Sequence, residues 1–173
     1  MGEQRIMTGR ERTFPEDEII VSKTDLKGRI TYANEVFLDV AGYSEAEVLG
    51  QPHNLIRHPD TPRCLFKLMW DTLKTGEEIF VYVNNRARNG DHYWVFAHVT
   101  PCQDASGQAV GYHSMRRVPR RAAVQEADAL YARLLAEERR HNDGRDGLQS
   151  SYDMLMNFLA GQGVAYDQFV LAL

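Results

Sequence analysis

The sequence predicts an α+β domain of about one hundred residues with a helical extension, and three observations predict it. Two short β-branched runs flank a turn near the start, and three longer strand-like runs follow residue 78. Apolar-periodic stretches lie between those two blocks. Strands grouped on both sides of a helical middle make a five-stranded antiparallel sheet with helices on one face. Past Pro119 the composition shifts to Ala, Leu, Glu and Arg, which favour helix. The chain therefore divides into an N-terminal arm or cap (1–17), a domain (18–118) and a helical C-terminal extension (119–173).

Each element has a local reason. Residues 1–17 are polar and aperiodic, reading as a flexible arm. Ile19–Ser22 and Arg29–Tyr32 flank Asp25-Leu26-Lys27-Gly28, a hairpin with turn formers at its tip. Asn34 offers a helix cap ahead of Val36, Phe37, Val40 and Ala41. Ser44 and Glu47 fit a capping box for a short second helix that Gly50 ends. Thr61-Pro62 opens a third helix with a capping hydroxyl and proline at the first helical position. That helix aligns Leu65, Phe66, Met69, Trp70 and Leu73 on one face and stops at Gly76. Ile79–Ala87 and His92–Pro101 are joined through Asn89-Gly90, the pair suited to a type I′ turn. Asp104–Gly107 turns the chain into the last strand, Val110–Val118.

In the extension, Val124, Ala127, Tyr131 and Leu134 form one stripe, and Asn142-Asp143-Gly144 breaks it. Tyr152, Leu155, Met156 and Leu159 form a second stripe; Tyr166, Phe169, Val170 and Leu173 form a third. The second face of the sheet needs a cover, which either this extension or a second copy of the chain can provide.

Composition narrows the function. A hydrophobic fraction of 43% with 25% charged residues describes a folded domain, not a disordered one. The net charge of −4 gives no electrostatic reason to expect nucleic acid or an anionic membrane. No apolar run reaches the 18 to 20 residues of a membrane span, and the charged N-terminus is no signal peptide. Cys64 and Cys102 lack CxxC spacing and read as small core residues in a reducing compartment. The expectation is a soluble cytoplasmic protein. No phosphate loop, GxSxG, HExxH or dinucleotide fingerprint occurs, so it is not expected to be an enzyme.

The segments GQPHNLIRHPDTP (Gly50–Pro62), LMWDTLKTGE (Leu68–Glu77) and NNRARNGDHYWV (Asn84–Val95) carry a family resemblance. Together with the element order, they resemble the flavin-binding PAS domain of bacterial aerotaxis receptors, over roughly residues 19 to 117. The NGDHYW hairpin marks PAS domains in general, and RHPD followed by a Trp-bearing helix narrows the match. The resemblance implies non-covalent FAD, a sensing role linked to redox state or oxygen, and a homodimer. Such receptors continue into a membrane anchor and a kinase-controlling coiled coil, which have no counterpart in this sequence. The signal is therefore expected to pass to a separate partner of the chemoreceptor or kinase type.

The resemblance also implies site residues. Trp70 is the leading flavin contact and Phe66 lines the slot; one turn apart on a helix, the two can face one cavity. Simple core packing would use the same stripe. Asn85 and Asn34 match polar positions, and a carboxamide suits the mixed donor and acceptor edge of a flavin ring. Alternation along Val81, Val83 and Asn85 turns Asn85 inward, whereas Asn34 also serves as a cap. Arg57, His58 and Asp60 precede the aromatic helix and are implied to lie near the cofactor, as, less directly, is His53. A surface ion pair would explain the first three equally well.

Two alternatives stay open. Six histidines allow a haem-binding gas sensor, which needs one imidazole facing an apolar cavity. A cofactor-free dimerisation module needs only the fold. Light-driven flavin adduct formation needs a cysteine in the loop before the third helix, and HNLIRHPD has none.

Overall fold

A computed structural model of the chain describes residues 7–173. The first hairpin pairs β1 (Ile20–Asp25) with β2 (Ile30–Ala33). Then come α1 (Glu35–Ala41), α2 (Glu45–Val48), a 3₁₀ turn (His53–Ile56) and α3 (Arg63–Lys74). Strands β3 (Ile79–Arg86), β4 (His92–Gln103) and β5 (Ala109–Arg117) complete the sheet. The order is β2-β1-β5-β4-β3, antiparallel throughout. The last strand thus lies in the middle, buried between the first strand and β4. Gly111 fits there because a Cβ would come within 2.3 Å of the Thr24 carbonyl oxygen on β1.

Local chemistry explains most boundaries. Asn34 caps α1 by accepting from the Phe37 amide at 3.0 Å, and Gly42 ends that helix with φ of 74°. Glu47 reaches back to the Ser44 amide at 2.9 Å. The Asn89-Gly90 connection differs from the type I′ expectation. Gly90 alone has positive φ, its amide donates to the Ala87 carbonyl, and the Ala87 amide returns to Asp91. This is the longer hairpin loop with a left-handed glycine after an ordinary turn, and it leaves Asp91 free to bind the arm. Thr8 and Arg10 both hydrogen-bond the Asp91 carboxylate, and the Arg12 amide donates to His92 at 2.7 Å. Described residues of the arm are therefore pinned to the domain, where the sequence suggested a loose segment.

The extension forms α4 (Arg121–Arg139), α5 (Gly144–Gln162) and α6 (Tyr166–Ala172). Alternation on β3 assigns its two faces to different cores. Val81 joins Phe37, Ile56, Leu73, Tyr93 and Val95 under α1–α3. Tyr82 joins Trp94, Tyr131, Leu134, Leu155 and Val170 under the extension. The Tyr131 hydroxyl donates to the Tyr82 carbonyl at 2.6 Å, satisfying its one buried polar atom. Helix α5 packs on α3 and α6 packs on β3, so the extension wraps the β3 edge of the sheet and covers part of its outer face.

Candidate functional site

A cavity of about 240 Å³ opens between the inner face of the sheet and α3. Its apolar walls come from Val81 and Val83 on β3, Ala97 and Val99 on β4, and Met69 on α3. Three aromatic side chains bound the slot. Trp70 and Tyr112 meet edge to face at 5.2 Å, and Phe66 lies one helical turn before Trp70. The Gly28 turn closes over the far edge of the indole, where an added Cβ would be 3.6 Å from the ring. The Arg57 guanidinium lies 4.3 Å from the Phe66 ring centroid and donates to the Thr61 carbonyl at 3.1 Å. A short bridge sets Arg57 beside Asn85, which is 4% exposed.

The polar floor is less ordinary. Arg116 on β5 is 3% exposed and faces inward. Its Nη2 donates to Ser22 Oγ at 2.8 Å and to His53 Nε2 at 2.7 Å. His53 is therefore an acceptor at Nε2, which requires the neutral ring. Burial, and then the adjacent Arg116 cation, push the His53 pKa down to about 3. Burial likewise lowers Arg116 to about 10. Among the described residues, no carboxylate pairs with this guanidinium. Arg116 Nη1, Ser114 Oγ and Thr24 Oγ1 are buried without a hydrogen-bond partner. Each such group costs about 1–3 kcal/mol, and more when charged. All three residues line the cavity. An apolar slot with aromatic walls and unsatisfied polar atoms at one end is built for a flat, polar-edged occupant bearing acceptors.

Five of the eight residues singled out from sequence line this cavity: Trp70, Phe66, Asn85, Arg57 and His53. The other three lie outside its lining. Asn34 spends its carboxamide on caps: its oxygen accepts from Val21 and Phe37, and its nitrogen donates to the Ile19 carbonyl. The buried His58 ring packs against His92 at 5.7 Å, and its Nδ1 accepts from the Asp60 amide. Asp60 is exposed and pairs with Arg139 at 3.3 Å. His58 and Asp60 thus brace the loop on the side facing α4. Sequence reasoning missed Arg116, Ser114, Thr24, Ser22 and Tyr112. Alternation along Tyr112, Ser114 and Arg116 puts them on one face, but only the central position of β5 shows that this face is buried.

Comparison with known proteins agrees with the fold. Residues 30–116, half of the chain, match the family described as the PAS fold. The aerotaxis receptor of Escherichia coli is 40% identical over 136 residues, covering 79% of this chain and 27% of the receptor. The nitrogen fixation regulatory protein of Klebsiella pneumoniae is 35% identical over 99 residues, 57% of this chain and 20% of that protein. The chain thus spans about a quarter or less of the length of these curated relatives. Among solved structures, the light-state Aureochrome1 LOV photoreceptor superposes with a TM-score of 0.56 at 24% identity, covering 62% of this chain and 87% of the other. That likeness shows the fold. A five-stranded sheet in this order, α1–α3 on one face and the family match converge on one conclusion: the chain belongs to the PAS family.

Proposed function

We propose that this PAS domain is a redox or oxygen-linked sensor that binds FAD non-covalently and passes its state to a separate signalling partner. The observation that carries the reading is Arg116, a buried guanidinium with a free Nη1 at the end of an aromatic slot. A cavity near 240 Å³ is smaller than the roughly 300–1,000 Å³ of whole-ligand pockets, so it suits a ring system and leaves a dinucleotide's remainder outside. Bound flavin would supply reversible electron storage with a change of charge at the ring. Trp70, Tyr112 and Phe66 would clasp its faces, while Asn85, Ser114 and Thr24 would meet its polar edge. In a low-dielectric pocket, Arg116 favours negative charge on the occupant. His53 Nε2 would take a proton once such a charge draws Arg116 away from it. The similarity to an aerotaxis receptor supports the same reading.

Local chemistry disfavours the alternatives. Haem needs a free imidazole nitrogen, and the one histidine lining the cavity gives its Nε2 to Arg116. Cys64 belongs to the core under the extension, and burial raises its thiol to about 11, so it offers no thiolate to a flavin. Three buried, unpartnered polar atoms on residues that line the cavity favour an occupied pocket over a cofactor-free module. The proposal is of sensing, not turnover. We also propose a homodimer in solution, supported by Tyr32, Val110 and Met115, large apolar side chains left exposed. Light scattering that gives a monomer at high concentration overturns that part.

The visible spectrum of protein reconstituted with FAD tests the cofactor. The expected result is a two-banded flavin spectrum, lost in Trp70→Ala. A sharp Soret band, or colourless folded protein, overturns the proposal.

A further inference from the structure

Helix α3, which carries the aromatic wall of the cavity, has no cap of its own. The sequence suggested that the Thr61 hydroxyl would cap it. That hydroxyl instead donates to the Asn84 carbonyl at 2.9 Å, and the N-cap position is Pro62, which has no side-chain acceptor. The leading amides of α3 turn to the extension. Glu138, near the end of α4, accepts at Oε1 from the Arg63 amide at 2.8 Å and the Cys64 amide at 3.2 Å. Arg63 Nε donates to its Oε2 at 3.1 Å, and Ser151 Oγ on α5 donates to Oε1 at 3.1 Å. The residue is 8% exposed. A carboxylate at a helix N-terminus is favoured both by the open amides and by the helix dipole. The same carboxylate acts on Arg57: burial lowers that guanidinium's pKa, and the Glu138 charge opposes the shift.

Arg57 therefore faces two ways, lining the cavity and donating to the Thr61 carbonyl at 3.1 Å, two residues before the Arg63 amide that Glu138 holds. Helix α3 is held the same way. Phe66, Met69 and Trp70 face the cavity; Cys64 and Leu65 pack with α4 and α5. We propose that Glu138 is a positioning residue that couples the cavity to the C-terminal extension through the start of α3 and through Arg57. This inference rests on the proposed FAD reading for its ligand. Negative charge in the cavity draws Arg57 away from the Thr61 carbonyl and disturbs the start of α3 that Glu138 holds, so charging the cavity loosens α4–α5. By linkage, loosening α4–α5 favours the charged occupant to the same degree.

Hydrogen exchange on the full chain tests this in two arms. In ligand-free protein, Glu138→Gln should speed exchange at Arg63, Cys64 and across α4–α5 together, by about fivefold or more, while the sheet stays protected. Ser151→Ala, a milder loss at the same carboxylate, should move the same amides in the same direction. Faster exchange confined to the start of α3, or no change in either variant, overturns the coupling. This arm needs no cofactor, so a protein that retains no FAD defeats the functional reading without touching it. With FAD bound, dithionite reduction should speed α4–α5 exchange in the natural protein and not in Glu138→Gln. The flavin midpoint potential should also move positive in Glu138→Gln, because the carboxylate no longer opposes electron uptake. An unchanged potential with an unchanged exchange response overturns the proposal.

Discussion

The two faces of one sheet are built to opposite rules. Toward the extension, Tyr82 and Trp94 meet Tyr131, Leu134 and Leu155, and the tyrosine hydroxyl of α4 finds its carbonyl. Toward α3, the adjacent residues Val81, Val83 and Asn85 border a void with a buried cation and orphaned hydroxyls. A protein normally closes such a void, since filling it gains packing and removing polar atoms ends their desolvation cost. One face is thus packed for stability, and the other keeps buried polar atoms on residues that line a cavity.

The sharpest way to break that contrast is Arg116→Met. It removes a buried cation without a counter-ion and leaves a flexible, unbranched apolar side chain in its place. Urea unfolding of ligand-free protein should show unchanged or greater stability, by up to about 1–4 kcal/mol. FAD affinity, read by quenching of flavin fluorescence, should fall by about 2–5 kcal/mol, roughly 30-fold to several thousandfold. Loss of stability with affinity intact would reverse the assignment of the two faces.

Paired core substitutions come next. Leu155→Ala on the extension side should cost about 2–5 kcal/mol of stability in denaturant melts. Val83→Leu on the cavity side should cost less than about 1 kcal/mol, because the added carbon enters open space, yet should weaken FAD retention. Equal costs would mean that the cavity is as tightly filled as the outer core.

Acid sharpens the comparison further. The pKa of His53 is lowered to about 3 from its ordinary 6.5, so between those values the unfolded chain binds more protons than the folded one. The neutral-histidine contribution is fully present above pH 6.5 and is lost as pH falls toward 3. Ligand-free protein should lose up to about 1.4 kcal/mol per pH unit in that window from this group. His53→Gln should flatten the slope by one proton, read from urea melts between pH 6.5 and 4.5. An unchanged slope would show that His53 is not held neutral. The smallest effect belongs to the exposed Asp60–Arg139 pair, where Arg139→Ala should change stability by less than about 0.5 kcal/mol.

What could be read from the sequence was what depends on near neighbours. The Asn34 cap, the Ser44–Glu47 box and the inward turn of Asn85 follow from spacing alone. The cap on α3 could not be found that way, because its carboxylate lies 75 residues from Arg63 in the chain. Thr61 was the reasonable local choice, and the long-range bond to Asn84 displaced it. Arg116 was hidden for a related reason: a run reading Tyr-His-Ser-Met-Arg-Arg looks like an edge strand until β5 is placed between β1 and β4. The family resemblance placed His58 and Asp60 near the cofactor with Arg57, yet of the three only Arg57 lines the cavity.

The chain has two tryptophans, one on each side of the sheet: Trp70 at the cavity and Trp94 under the extension. Their indole N–H resonances give an internally controlled test when the ligand-free protein is titrated with FAD. Saturable movement of the Trp70 signal at one equivalent, with Trp94 nearly still, is the predicted result. A Trp70 signal that stays fixed at saturating FAD, or a shift confined to Trp94, would contradict the cavity as the cofactor site.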